Sequence, residues 1–171
     1  MKKALFLFFC SVCITKFGYT QTVSDTIDFS AYESETIITD QYLSESFLFS
    51  GYDGSGDPRV YDYGVGSYGR VLRSDDWYNP IKVSFVDSAD TDVFRLIEKL
   101  DFDNPIDSEV DYISVDAYDS MDVLVVHHVS TSPEHVSLDF ASENIAYVVF
   151  DDSAFTAYVI DNLIVEFAKG N

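Results

Sequence analysis

Cysteine is nearly missing from this 171-residue chain: there are two, Cys10 and Cys13, both close to the N-terminus. If the leader that holds them is removed, no disulfide, thiol nucleophile or cysteine-ligated zinc remains possible. Positive charge is also scarce. Ten Lys and Arg stand against 30 Asp and Glu, a formal charge of −20. Phosphates would be repelled by such a surface, which excludes ordinary nucleic-acid binding, and anionic lipid is disfavoured for the same reason. Four prolines and no proline- or serine-rich stretch leave no linker to divide the chain. Apart from Ala4–Ile14 there is no long apolar run, and that one is too short for a bilayer, which needs about 20 residues. No Asn-x-Ser/Thr sequon occurs.

What the chain does have is an N-terminal export pattern. Lys2 and Lys3 precede the apolar run, and the small residues Gly18 and Thr20 precede Gln21. This predicts a secretory signal peptide over 1–20 and one domain over 21–171. A buried N-terminal strand or an anchor helix is the bland alternative. Phe8 and Phe9 are too bulky to precede a lipoprotein cysteine at Cys10. Without Lys2, Lys3 and Lys16, seven bases face 30 acids, a balance of −23. Self-repulsion of that size opposes compaction, and salt or divalent cations relieve it.

Of the residues, 47% are hydrophobic and 16% aromatic, enough for a substantial core and unlike a disordered acidic tail. The dominant period is two. Short runs of Val, Ile, Tyr and Phe alternate with Asp, Ser, Gly and Asn clusters, which predicts an all-β, two-sheet antiparallel sandwich. Strands are expected at Val23–Phe29, Thr36–Thr39, Ser46–Ser50, Tyr68–Arg73, Ile81–Val86 and Val93–Asp101. Five more follow at Val110–Tyr118, Asp122–Ser130, Glu134–Phe140, Ile145–Phe150 and Ala157–Phe167. Val93–Leu100 also fits a helical face; strand is preferred. Asp119-Ser120 predicts a hairpin, and Pro133 and Asp151-Asp152-Ser153 predict loops. Gly51–Gly69 carries six glycines and four tyrosines and reads as a long exposed loop, or a loop with a short ribbon. No second hydrophobic core is expected.

Asp161 sits in the apolar run Tyr158–Val165. An ionised carboxylate there needs a compensating partner: a cation, an arginine or backbone N–H groups. Calcium suits so acidic a chain; a hydrogen-bonded structural aspartate is the alternative. Asp53-Gly54-Ser55-Gly56-Asp57 begins like an EF-hand, but Pro58 stands where glycine is needed and Gly64 where glutamate is, so no EF-hand is expected. Asp101, Asp103, Asp107, Glu109 and Asp111 read as a solvated acidic face. Trp77 and the loop tyrosines Tyr61, Tyr63 and Tyr68 are candidate sugar-stacking residues, against the plainer reading of core plugs and ordinary β residues. His127 and His128 point to opposite faces of a strand and cannot share one metal. No Gly-x-Ser-x-Gly elbow or phosphate loop is present, and carboxylates are too numerous for any catalytic pair to stand out.

Ile27-Asp28-Phe29, Ile38–Tyr42, Asn79–Phe85, Ile113–Asp119, Ile145–Phe150 and Ile160–Leu163, in that order, resemble the bacterial secreted jelly-roll domains of the PEP-CTERM-associated type. Those are similar in turn to galactose-binding-like and MAM-like β-sandwiches. The resemblance spans Ile27 to Phe167 but lacks a C-terminal Pro-Glu-Pro signal, and Ser120-Met121 stands where the family has glycine. It implies a jelly roll with a structural cation where the first strand meets the last; the matching positions are Asp161, Asp28 and Glu33. The expected function is that of a secreted or periplasmic, non-catalytic binding or adhesion module. Its expected partners are a carbohydrate or a cell-surface or matrix protein. A secreted polysaccharide hydrolase and a structural envelope or matrix subunit are the rival readings.

Overall fold

Alternation of apolar and polar residues produces strands almost wherever it occurs. The computed structural model describes residues 24–62, 64, 69–76, 78–105, 113–130, 135–140, 144–152 and 158–168. The strands are β1 (Ser24–Ile27), β2 (Phe47–Gly51), β3 (Arg59–Asp62), β4 (Arg70–Arg73), β5 (Ile81–Asp87) and β6 (Asp90–Phe94). They continue with β7 (Ile97–Asp103), β8 (Ile113–Tyr118), β9 (Leu124–Ser130), β10 (His135–Asp139), β11 (Tyr147–Asp152) and β12 (Asp161–Phe167). A four-stranded sheet runs β1-β12-β7-β10. A six-stranded sheet runs β2-β5-β11-β8-β9, with β6 paired to β5. β3 and β4 form a separate ribbon. Every pairing is antiparallel. The two sheets pack face to face as a β-sandwich, the expected fold class.

The filling between the sheets is aromatic. Phe102 of β7 meets Phe150 of β11 edge to face at 5.1 Å, and Phe47 of β2 meets Phe167 of β12 at 6.4 Å. Both contacts cross from one sheet to the other, in the geometry the ring quadrupole favours. Contrary to expectation, a small second cluster exists. Ala146, Tyr147 and Val149 are buried with Tyr52, Phe94, Leu96 and Tyr118 packed around them. Tyr118 and Tyr147 stack at 4.8 Å, and the Lys82 ammonium lies 3.7 Å from the Tyr147 ring.

Several boundaries differ from those read in the sequence, each for a local reason. Thr36–Thr39 is not a strand but a single bridge, Ile37 to Arg59. Glu35 adopts a left-handed φ of 68°, and the Thr39 N–H donates to Gln41 Oε1 at 2.6 Å, so turn chemistry wins over β-propensity. Val93–Asp101 is strand, not helix, but it is two strands. The chain leaves the large sheet after Phe94 and enters the small one at Ile97. Arg95 holds that crossing: its N–H donates to Phe85 O, its guanidinium to Ser46 Oγ at 2.5 Å, and it stacks 3.7 Å from the Phe167 ring. The glycine-rich stretch carries a short ribbon, since Arg59–Asp62 pairs with Arg70–Arg73. The Asp119–Val123 hairpin closes without glycine: Asp119 Oδ1 accepts from the N–H groups of Met121 and Val123, and Asp122 takes the left-handed φ of 61°.

Candidate ligand-binding ribbon and acidic corner

In the β3–β4 ribbon, Arg59 lies opposite Arg73 and Tyr61 opposite Val71. Opposed residues share a face, so Val60 and Leu72 turn into the core while Arg59, Tyr61, Val71 and Arg73 share the other face. Arg73 is only 6% exposed. Its Nη2 donates to Glu35 Oε1 at 3.1 Å, and its Nη1 donates to the carbonyl oxygens of Ser74 and Asp75 at 2.8 and 2.9 Å. The same guanidinium lies 4.9 Å from the Tyr61 ring centroid, a cation–π distance. Arg70 donates to Tyr32 O. Three of the chain's four arginines are therefore on this ribbon, in a protein of −20.

Arg73 also tethers the loop that follows it. Within that loop, Asp76 Oδ1 accepts from the N–H groups of Tyr78 and Asn79 at 3.1 and 3.0 Å. Asn79 Nδ2 donates to Asp75 Oδ1 at 3.2 Å, and the Tyr158 hydroxyl donates to Asn79 O at 2.7 Å. Trp77 falls between these residues in sequence. Trp77, Tyr63 and Tyr68 lie outside the described residues, as do residues 1–20, over which a signal peptide is expected; of the four candidate stacking residues, Tyr61 alone can be placed.

The second location is the corner where β1, β12 and β7 meet. β1 pairs with β12 from Ser24–Glu166 to Ile27–Leu163, so the first and last strands adjoin. Asp161 opens β12, rather than lying in the middle of a longer strand as expected, and is 7% exposed. β12 is two-sided only in part: its core face is buried and its other face half-buried. Asp161 pairs in register with Asp103, and a bulge follows it, with Asn162 at φ 47°. Asn162 donates twice: its backbone N–H to Asp161 Oδ1 at 2.8 Å and its Nδ2 to Asp103 Oδ2 at 2.7 Å. Burial pushes the Asp161 carboxyl above the usual range; the Asn162 N–H opposes this, and the charges of Asp28 and Asp103 add to it.

Asp28 is thus near Asp161, as the resemblance implies. Its own carboxylate, however, caps the following 3-10 turn, accepting from the Ser30 N–H at 2.8 Å and the Ser30 hydroxyl at 2.7 Å. Glu33 is exposed and does not act on Asp161. Among the described residues, no three His, Cys, Asp or Glu side chains converge as a metal site requires. The carboxylates here each accept a hydrogen bond from a nearby donor.

Sequence reasoning missed Glu35, Arg73 and Asp103. It read Asp101–Asp103 as a solvated face, yet the stretch is in β7 and Asp101 is buried. The apolar alternation of Leu100 and Phe102 was the available signal. Lys99 Nζ donates to Asp101 Oδ2 at 2.7 Å. The histidines have local partners: Nδ1 of His127 lies 2.6 Å from Asp116 Oδ1, and Nδ1 of His135 lies 2.9 Å from Asp103 Oδ1. Among the described residues, no helix is long and apolar enough to cross a membrane.

No protein-family profile matches the chain, and no curated protein is significantly similar to it in sequence. Solved structures do resemble it. The K2 cleaved adhesin domain of Lys-gingipain superposes with a TM-score of 0.52 at 13% identity, over 86% of this chain and 98% of that one. The fucose-binding module SpX-3 of Streptococcus pneumoniae gives 0.41 at 17% identity, over 86% and 95%. The lectin binding domain of Lectinolysin complexed with Lewis b gives 0.41 at 13%, over 87% and 93%. The adhesin-domain likeness shows a shared β-sandwich fold.

Proposed function

We propose that the chain is an exported, non-catalytic binding module whose ligand is a carbohydrate, engaged at the β3–β4 ribbon and the loop tethered to it. The observation that carries this is the Tyr61–Arg73–Glu35 arrangement. An aromatic ring, a buried guanidinium and a carboxylate are held together by a cation–π contact and hydrogen bonds before any ligand arrives. Sugars present apolar ring faces flanked by hydroxyls that both donate and accept, and such an array suits them. The adhesin-domain fold supports a binding role. The leader pattern supports export, and a place among PEP-CTERM-type secreted domains belongs to the same proposal.

The test is a glycan array followed by calorimetry with the best glycan. Tyr61→Ala and Trp77→Ala are expected to weaken binding by about tenfold or more, the scale of truncating an aromatic anchor at a binding surface. A protein that retains no glycan, or variants that bind like the parent, would sink the reading.

A cation at the acidic corner remains a separate proposal. Its support is the Asp161 carboxylate, buried with two further carboxylates acting on it. Thermal melting with and without Ca²⁺ tests it, since a ligand of the native state raises stability by mass action. The parent should melt higher with Ca²⁺ and Asp161→Asn should not; a parent indifferent to Ca²⁺ removes the ion.

A further inference from the structure

Among the described residues, the sandwich's exposed edges are guarded in all but one place. β1 is four residues long and carries Asp25; β10 carries Asp139; β6 carries Asp90 and Asp92. The outer side of β2 is covered, because the N–H of Phe49 donates to Thr39 O at 2.8 Å and that of Phe47 to Tyr42 O at 3.0 Å. Short length, edge charge and covering are how proteins prevent strand-to-strand association. Over Leu124–Val129, β9 has none of these among the described residues. It is seven residues long, Leu124–Ser130, with no charged residue apart from its two histidines, and it forms the end of the six-stranded sheet. Residues 123–133 contain no Asp, Glu, Lys or Arg, the longest such run after Lys16. Exposed apolar side chains gather here too: Met121 (77%), Val123 (53%), Leu124 (48%) and Val129 (37%).

We infer that β9 is a self-association edge: two copies of this chain pair β9 to β9 antiparallel about a twofold axis, joining their six-stranded sheets. Charge selects the occupant. A basic partner would be drawn to carboxylates, which this strip lacks. A second copy is repelled by the acidic remainder of the surface, at −20 overall, and can approach closely here, where the strand itself carries no Asp or Glu and the Asp116 carboxylate of the adjoining strand is paired with His127. The pattern is self-complementary. With the axis at His127, the middle of the strand, Val125 of each copy faces Val129 of the other. The hairpin tip with Met121 and Leu124 then lies beside the far end of the second copy's strand.

Sedimentation equilibrium of the purified protein across a wide concentration range tests this. A monomer–dimer equilibrium is expected, strengthened by added salt because salt screens the repulsion between copies. Backbone amides of residues 124–129 should exchange more slowly at high concentration. Val129→Lys places a charge on the edge of both copies and should weaken the dimer by more than about tenfold. Val93→Lys, at a comparably exposed valine (50%) on β6, should leave it unchanged. If Val129→Lys alters the far-UV circular dichroism, Leu124→Lys replaces it. A monomer at every concentration overturns the inference. So does a dimer indifferent to a folded edge-lysine variant, or one that Val93→Lys breaks equally.

Discussion

Two buried carboxylates in the same sheet are treated in opposite ways. Asp101 on β7 and Asp161 on β12 are 8% and 7% exposed, and both are subject to the desolvation that raises a carboxyl's pKa. Burial pushes Asp101 up, but hydrogen bonds from Lys99 and Ser137 outweigh it and hold the group below its usual range. Asp161 has only the Asn162 N–H in its favour, with Asp28 and Asp103 against it, and ends above that range. Burial is therefore not the deciding variable. What the neighbours offer is: a lysine two residues away on the same strand for one, the Asp103 carboxylate across the strand pair for the other.

The largest expected effect comes from the core on the opposite face of β7. Phe102→Ala deletes a fully buried ring that meets Phe150 across the sandwich. It should cost about 3–5 kcal/mol in denaturant unfolding. A smaller loss comes from Lys99→Met, which keeps the stem but strands the Asp101 carboxylate without its charged donor. The melting temperature should fall at neutral pH, and the difference from the parent should close as pH drops toward and below the ordinary aspartate value. The sign follows from linkage: a depressed folded pKa contributes stability above the unfolded value, and that stability is lost as pH falls through the folded one. Asp161→Asn should have the smallest effect and the opposite sign. Its raised folded pKa makes ionisation a handicap above that pKa, and the handicap disappears as pH falls toward the ordinary aspartate value. In the absence of divalent ions, the variant should therefore melt higher than the parent at neutral pH and converge with it in acid. Melting curves from pH 3 to 8 resolve all three.

The contrast between Asp101 and Asp161 also marks how far the sequence can be read. The apolar alternation around Leu163 and Val165 identifies the strand that Asp161 opens, and the resemblance implies that this strand meets the first. Nothing local reveals that Asp103, 58 positions earlier, lies across from it, because register between distant strands depends on the whole sheet. The ribbon follows the same rule. Tyr61 stands out by composition, whereas Glu35 and Arg73 reach it only through a left-handed turn at Glu35 and the pairing of β3 with β4. The break at Arg95 was hidden by an unbroken β-forming run; only the existence of two sheets explains it. Strand identity is local information, while sheet membership and charge pairing are not.

The position of β12 has a consequence for how the molecule is made. It lies between β1 and β7, so neither has a neighbour on that side until it arrives. It also follows both of them in the chain. The small sheet therefore cannot be completed until β12 is made, whereas every strand of the large sheet precedes it. The order of synthesis sets the order of closure: the large sheet can be whole while β1 and β7 still stand apart.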